Sequence, residues 1–228
     1  MRKLTIVGAA SALMLSIGPA AEAGLVTVGL QDGATFVSCA DGAACDTNAL
    51  PGVVTFTATF ASVTVALSGT GSGPPAAIPY TLDITYNVTT LATAAAGTDI
   101  ISVSLQDFAP ISGISWTGHV GGTNTNGSIA TFQSFADAGN TLFGLTTSTC
   151  GPVTSGASPF ALTCAGGVQN FLANFSQTEV ITVVRPNGGI TSATGDALQT
   201  PSVPEPGTLA LLGAALLSAA GFRRRRKS

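Results

Sequence analysis

Apolar and polar residues alternate along the middle of the chain. The period is two residues in VVTFTATF (residues 53–60), in YTLDITYNV (residues 80–88) and in IISVSLQDF (residues 100–108). TEVITVVRP (residues 178–186) is a further β-branched run, which Pro186 ends. An alternation of this kind buries one face of a strand and leaves the other in water, as in antiparallel sheets. The pattern therefore predicts an all-β body.

Clusters of Gly, Pro and Asn separate these runs. They occur in SGTGSGPP (residues 68–75), GGTNTNG (residues 121–127) and PNGG (residues 186–189). Such residues supply the backbone angles that turns require. Several short strands separated by turns predict an antiparallel β-sandwich, which we place at residues 24–189.

Two segments depart from the strand pattern. SFADAGNTLFG (residues 134–144) has the composition of a short helical turn that ends at Gly139 and Asn140. In residues 190–202 the apolar alternation fades, and the small and polar residues there predict a linker or stalk that follows the sandwich.

Residues 1–23 have the three parts of a secretory signal peptide. Arg2 and Lys3 form a positive region, and an apolar helix too short to span a membrane comfortably follows them. Ala21 and Ala23 then supply the small-x-small cleavage pattern. We therefore predict a signal helix that is removed and a body that is exported.

Residues 203–228 form a second segment with three parts. A Pro-Glu-Pro motif comes first and must be extended, because its prolines fix φ and remove two backbone donors. The apolar run at 208–222 would span only about 22 Å as a helix, against about 30 Å for a hydrocarbon core. We predict a single short transmembrane helix, inserted temporarily, followed by a cytoplasmic cluster of cations. The motif residues are Val203, Pro204, Glu205 and Pro206, and the cations are Arg223, Arg224, Arg225, Arg226 and Lys227.

These three elements in this order resemble the PEP-CTERM sorting signal, which is also catalogued as the ice-binding protein C-terminal domain. The resemblance implies a Gram-negative bacterial protein that enters the inner membrane transiently. It also implies processing near residues 203–206 by an exosortase, a transpeptidase-like membrane enzyme. The implied partners are the general secretion machinery and an exosortase, with extracellular polysaccharide as a further candidate. The implied destination is the cell surface or the extracellular matrix.

Charge is distributed unevenly along the chain. Between the two terminal segments, Arg185 is the only cation and faces nine carboxylates, a formal balance of −8 against −3 for the whole chain. A surface of this kind cannot neutralise phosphates, so nucleic-acid binding is excluded. Anionic membrane surfaces should also repel it.

The four cysteines fall into two pairs that are close in sequence. An even number in an exported chain indicates disulfides, and four cysteines allow three connectivities. We predict the local pairing, because each pair brackets a loop rich in Gly, Pro or Ala that a bridge would fix. Zinc is disfavoured, since neither pair has the C-x-x-C spacing. The predicted bridges join Cys39 to Cys45 and Cys150 to Cys164.

Residues suited to catalysis are few. His119 is the only histidine, and the chain contains no G-x-S-x-G elbow. The carboxylates are scattered through loops and outward strand positions rather than set as a glycosidase pair. We therefore predict a protein that is not an enzyme and needs no cofactor. A structural calcium site near Asp32, Asp41 and Asp46 is an alternative, although their spacing is not that of an EF-hand loop.

Two sets of residues are candidates for ligand binding. Aromatic side chains at the surface of an extracellular sandwich would stack on carbohydrate, although core packing is the commoner use of such residues. A row of threonines on one strand could match an ice lattice, although any half-exposed strand of a Thr-rich chain shows such a row. The aromatic set is Trp116, Tyr80 and Tyr86, and the threonine row is Thr55, Thr57 and Thr59.

The sequence as a whole predicts an exported, exosortase-processed structural protein of the cell surface or biofilm matrix, without catalytic activity. The alternative is a carbohydrate-binding module or adhesin that uses Trp116 and its neighbouring tyrosines. Ice binding is a third hypothesis.

Overall fold

The computed structural model describes residues 26–61, 63–72, 81–156, 158–186 and 192–202, and their regular structure is β-strand. The strands are β1 (Thr27–Asp32), β2 (Thr35–Ala40), β3 (Val53–Thr59), β4 (Val63–Ser72), β5 (Thr81–Thr90), β6 (Gly97–Phe108), β7 (Ile111–Asn124), β8 (Ile129–Asp137), β9 (Thr147–Thr154), β10 (Phe160–Ala165), β11 (Gln169–Phe171), β12 (Phe175–Arg185) and β13 (Ser192–Ser202).

The strands of the described ranges form two antiparallel sheets. Sheet A has the order β2-β1-β6-β12-β8-β9. Sheet B has the order β10-β7-β13-β5-β4-β3, and the short β11 pairs with the first residues of β7. The two sheets pack face to face on one continuous hydrophobic core to which both contribute. The prediction of an all-β fold with antiparallel sheets is confirmed.

Alternation along each strand fills this core. In β6, Ile101, Val103 and Leu105 are fully buried between the sheets, as period-two patterning requires. Each such burial contributes about 1.5–3 kcal/mol to stability. The sheets approach closely at Gly69 of β4, where an added Cβ would lie 2.6 Å from Val28 Cγ1 of β1. Glycine at that position therefore lets β4 pack directly on sheet A.

The two disulfides lie at opposite edges of the sandwich, where the chain passes from one sheet to the other. Cys150 on β9 of sheet A is bonded to Cys164 on β10 of sheet B, with Cα atoms 5.6 Å apart. Cys39 on β2 of sheet A is bonded to Cys45 in the connection to β3 of sheet B, with Cα atoms 5.9 Å apart. The predicted local pairing is confirmed. Each bridge therefore links an edge strand of sheet A to sheet B or to the connection that leads into it.

Residues 192–202, which the sequence assigned to a linker, form β13 in the interior of sheet B. On one side β13 pairs with β5, where Ser192 lies opposite Thr89, and on the other it pairs with β7, where Ser202 lies opposite Ser115. The linker prediction is wrong because Gly, Asp, Gln and Pro have low intrinsic strand preference, whereas here the neighbours on both sides impose the strand. The sandwich therefore extends to residue 202 rather than 189.

Other predicted elements have different outcomes. Residues 134–144 contain no helix: residues 134–137 complete β8, and the residues after them form turns. Among the described residues, we find no helix with the length and apolar character needed to cross a membrane. The predicted signal peptide (residues 1–23) and transmembrane helix (residues 208–222) lie outside the described ranges.

The connection between β8 and β9, residues 138–146, folds back over the outer face of sheet A. Asp137 fixes its start, because the carboxylate accepts hydrogen bonds from Gly139 N at 3.1 Å, Thr141 N at 3.0 Å and Thr146 Oγ1 at 2.9 Å. Burial alone would raise the pKa of Asp137, but these hydrogen bonds lower it overall. We call this connection the β8–β9 loop.

The β8–β9 loop is also bonded to neighbouring strands. Asn140 Nδ2 donates to Asp107 Oδ1 at 2.6 Å, and Asp107 N donates to Asn140 Oδ1 at 2.8 Å. Gln106 Nε2 donates to the Asn140 carbonyl at 2.7 Å, and Ser176 Oγ donates to the Thr141 carbonyl at 2.6 Å. These bonds anchor the loop to β6 and β12 as well as to its own start.

Arg185, the only cation between the two terminal segments, is buried where β12 ends. It is 3% exposed and its partner Asp99 on β6 is 1% exposed. Arg185 Nε donates to Asp99 Oδ2 at 2.7 Å, Nη1 donates to the Ala95 carbonyl at 2.9 Å, and Nη2 lies 3.4 Å from Asp32 Oδ1. Burial raises the pKa of Asp99, and the hydrogen bond and charge of Arg185 oppose that rise.

Arg185→Met should destabilise the protein by about 3–5 kcal/mol, because it leaves a buried carboxylate without its cation. Urea unfolding near neutral pH measures the loss. Adding Asp99→Leu removes the uncompensated charge and should restore much of the stability. If the double variant is as unstable as Arg185→Met alone, the loss of stability comes from lost packing rather than from the unpaired carboxylate.

Asp137→Asn should cost on the order of 1 kcal/mol near neutral pH, since an amide oxygen accepts these hydrogen bonds more weakly and solvent screens part of the difference. Because the folded pKa is lowered, the contribution of the carboxylate is present above the unfolded pKa of about 3.9. It is lost as the pH falls through the folded pKa. The stability difference between wild type and variant, measured by urea unfolding, should therefore shrink as the pH falls below about 3.9. An unchanged difference would mean that the charge does not fix the loop.

Candidate functional site

The start of the first described strand, β1, and the finish of the last one, β13, lie at the same end of the sandwich. β6 and β7 are joined by a short connection, so the end of β6 lies beside the start of β7. β1 runs antiparallel to β6 and β13 runs antiparallel to β7. β1 therefore begins, at Thr27, at the same end where β13 finishes, at Ser202. We call this the exit end, because the Pro-Glu-Pro segment follows Ser202 directly in the sequence.

Exposed apolar side chains are prominent at the exit end. Leu172 is 92% exposed, Val168 is 66% exposed and Leu50 is 65% exposed. Val168 and Leu172 flank β11, and Leu50 lies just before β3. These side chains belong to connections, so they contribute nothing to the core and are available for contact at this end.

The aromatic residues predicted to stack on a ligand are inside the core. Trp116 is 1% exposed, and its ring packs edge-on against Phe171 and Phe175, with centroids 6.0 and 6.4 Å away. Tyr86 is 2% exposed and covers Gly195, and burial raises the pKa of its hydroxyl. Both lie on the inward phase of their strands, so neither offers a face to solvent, which corrects the stacking prediction. Tyr80 lies outside the described residues.

The candidate calcium loop has its aspartates engaged in turns. Asp46 accepts hydrogen bonds from the backbone of Thr55, Asn48 and Gly42, at 3.0, 2.9 and 3.2 Å. Asp41 Oδ2 accepts one from Gly52 N at 2.7 Å. Burial would raise the pKa of Asp46, but these backbone donors lower it overall. In the described residues these carboxylates thus organise the connection between β2 and β3.

His119 and the threonine row lie on sheet B. His119 is exposed on β7, with Nδ1 3.2 Å from Thr163 Oγ1 on β10. Thr57 and Thr59 are exposed on β3, the edge strand, and Thr55 is half-buried beside Ser68, with 3.5 Å between their hydroxyl oxygens. The row therefore faces outward as predicted, while ice binding stays a hypothesis.

A groove lies on the outer face of sheet A. Its volume is about 420 Å³, within the usual range of small-molecule and cofactor sites. We call it the outer groove. Its apolar lining is Phe36, Ile100, Phe135, Phe143, Leu145 and Val180. Its polar lining is Gln31, Ser102, Thr131, Gln133, Thr178 and Thr182.

Phe36 forms one wall of the outer groove. It is 50% exposed although it belongs to a strand. Its ring lies against Gly29 of the neighbouring β1, where an added Cβ would be 2.9 Å from Phe36 Cε2 and 2.7 Å from Ser102 Oγ. Glycine at position 29 therefore gives the ring the space to lie across the sheet.

Phe143, in the β8–β9 loop, lies beside Phe36 and extends the same wall. Its φ is 57°, a left-handed conformation that is unusual for a bulky residue. Its N–H donates to Ser104 Oγ at 3.0 Å, and its ring meets that of Phe36 edge-on, with centroids 5.6 Å apart. The anchored loop thus holds this ring over the sheet.

Sequence reasoning missed the outer groove. Phe36 and Phe135 occupy outward positions of their strands, where the pattern otherwise places polar residues. Aromatic residues on the solvent phase of a strand were the available signal. The contribution of Phe143 could not be foreseen, because it depends on the fold of the β8–β9 loop.

Comparison with solved structures gives only distant likenesses. The chain is similar to one in the structure of infectious bursal disease virus Gx strain, with 14% identity and a TM-score of 0.32, over 90% of this chain and 55% of that one. It is also similar to Arthrobacter globiformis T6 isomalto-dextranase complexed with panose, with 12% identity and a TM-score of 0.25, over 77% of this chain and 30% of that one. It therefore spans about half and about a third of those chains. Neither likeness is close enough to carry fold or function over to this protein.

The C-terminal segment gives a specific match. No curated protein matches the sequence as a whole. The family model described as the PEP-CTERM protein-sorting motif matches residues 202–226, which include the Pro-Glu-Pro motif, the apolar run and the four arginines. The resemblance of these elements is thereby confirmed, and residues 202–226 of the chain carry a PEP-CTERM protein-sorting motif.

Proposed function

We propose that this protein is exported, processed by an exosortase and retained at the cell surface or in the extracellular matrix as a structural, non-catalytic component. The observation that carries the proposal is the PEP-CTERM motif at residues 202–226. The motif implies exosortase-dependent processing and delivery outside the inner membrane.

The construction of the body supports an extracellular destination. Both pairs of cysteines are joined, and disulfides persist in oxidising compartments rather than in the cytoplasm. They staple the two edges at which the sheets are connected, so they hold together a sandwich that has few charges. A protein built in this way is suited to remain folded outside the cell.

The position of β13 supports removal of the sorting segment without damage to the body. β13 is hydrogen-bonded on both sides up to Ser202, and the Pro-Glu-Pro motif begins within two residues of that point. Cleavage near the motif would therefore leave the sandwich complete. Before cleavage the exit end would face the membrane, and Leu172 and Val168 would be its nearest exposed apolar side chains.

Exosortase processing should remove the apolar run and the arginine cluster from the mature protein. Intact-mass measurement of protein from the native host, with and without its exosortase, tests this. Replacing Pro204 and Pro206 by Ala should abolish the mass loss, because the segment is then free to continue the helix. Pro110→Ala, in an exposed connection at the exit end, is the matched control. Retention of the full C-terminal segment when the exosortase is present would contradict the proposal.

Truncation after Ser202 should leave the melting temperature of the secreted body unchanged, since the strand pairing is complete at that residue. Truncation after Pro186 should prevent stable folding, because β5 and β7 then lose the strand between them. Thermal unfolding followed by circular dichroism distinguishes the two. A stable sandwich without residues 192–202 would mean that β13 is dispensable for folding.

A further inference from the structure

We propose that the outer groove of sheet A binds a neutral polysaccharide chain, with Phe36 and Phe143 as its stacking faces. This proposal rests on the proposed function, because a protein at the cell surface or in the matrix encounters polysaccharide there. The binding chemistry itself depends only on described residues.

The shape of the outer groove fits a linear chain. Its lining comes from five neighbouring strands, from Phe36 on β2 through β1, β6 and β12 to Gln133 on β8. With about 4.8 Å between strands, the groove runs roughly 19 Å across the sheet. A compact ligand would fill only part of this length, whereas several linked sugar units would occupy it.

The lining combines the two kinds of group that sugars require. The rings of Phe36 and Phe143 offer apolar surface for the C–H face of a sugar ring. The amide oxygens of Gln31 and Gln133 can accept hydrogen bonds from sugar hydroxyl groups. Each amide nitrogen keeps one N–H for a sugar oxygen, since its other N–H donates to the Gly33 carbonyl or to Ser148 Oγ. A purely apolar ligand would cover these polar groups without pairing them, at a cost in affinity.

Charge selects a neutral chain over an acidic one. The twelve residues that line the outer groove are all uncharged. The only cation between the terminal segments, Arg185, is held by Asp99 and Asp32 at the end of the sandwich opposite the exit end. An anionic polysaccharide would thus find no positive partner and would be repelled by a body of formal charge −8.

The walls of the outer groove are formed before a ligand arrives. A non-glycine residue in a left-handed conformation costs about 1–3 kcal/mol and persists only where the surroundings impose it. Here the hydrogen bond to Ser104 and the anchors at Asp137 and Asn140 impose it on Phe143. Binding therefore does not have to order the loop, which lowers the entropic cost of association.

The test uses the full chain purified from its exporting host, with calorimetry against neutral hexasaccharides (cellohexaose and maltohexaose) and an anionic alginate hexasaccharide. We expect binding to a neutral hexasaccharide and none to alginate. Phe36→Ala should weaken binding about three- to tenfold, the range expected for one aromatic contact. Phe36→Trp should preserve it. Leu172→Ala, an exposed apolar residue outside the groove, is the matched control and should change nothing.

Gly29→Ala gives a second, independent variant. Its new methyl group would displace the Phe36 ring while both aromatic residues stay in the chain, so affinity should fall as in Phe36→Ala. Melting temperatures verify that each variant is folded. Absence of binding to both neutral hexasaccharides, equal binding to alginate, or unchanged affinity in folded Phe36→Ala and Gly29→Ala would each overturn the assignment.

Binding is measured on purified protein, so a failed sorting assay would leave this result intact, and failed binding would leave the mass assay intact.

Discussion

The rest of this structure depends on one constraint: each strand must bury its inward phase against the opposite sheet. The body has a single buried cation, Arg185, and obtains its stability from closely packed aliphatic and aromatic side chains. This is why Gly69 lies under Val28 and why Trp116 and Tyr86 are enclosed. The inward phase is mostly occupied by packed apolar side chains, and its polar members Gln177 and Glu179 are also fully buried. Ligand chemistry is therefore confined to the outward phase and to the connections.

Features that depend on neighbouring residues in the chain could be predicted from the sequence. Period-two patterning predicted the strand at β6 and the inward phase of β5, and the loop-bracketing spacing predicted both disulfides. The same pattern places Tyr86 on the inward face of β5. The prediction that Tyr86 stacks on a ligand therefore conflicted with the alternation of its own strand. Phe36 and Phe135 were the aromatic residues in the solvent phase. The outer groove could thus have been partly anticipated from alternation alone.

The missing part was non-local. β13 is a strand because β5 and β7 lie on either side of it, and those partners are about 70–120 residues away in the chain. Its Gly, Asp and Pro content gives no local sign of this, since strand preference is largely a property of context. Likewise, Phe143 reaches Phe36 only because Asp137 and Asn140 fold the β8–β9 loop onto the sheet. Composition and spacing contain no information about such a loop.

The sorting segment and the outer groove use different sheets. The sorting segment follows β13 of sheet B, which is central to its sheet and exits at one end of the sandwich. The outer groove lies on the solvent face of sheet A, and its floor is made of strands that do not contact β13 through hydrogen bonds. A chain held at the membrane by its exit end would therefore still present the groove to solvent. Processing would release the protein without altering the groove, so capture of a ligand need not wait for cleavage.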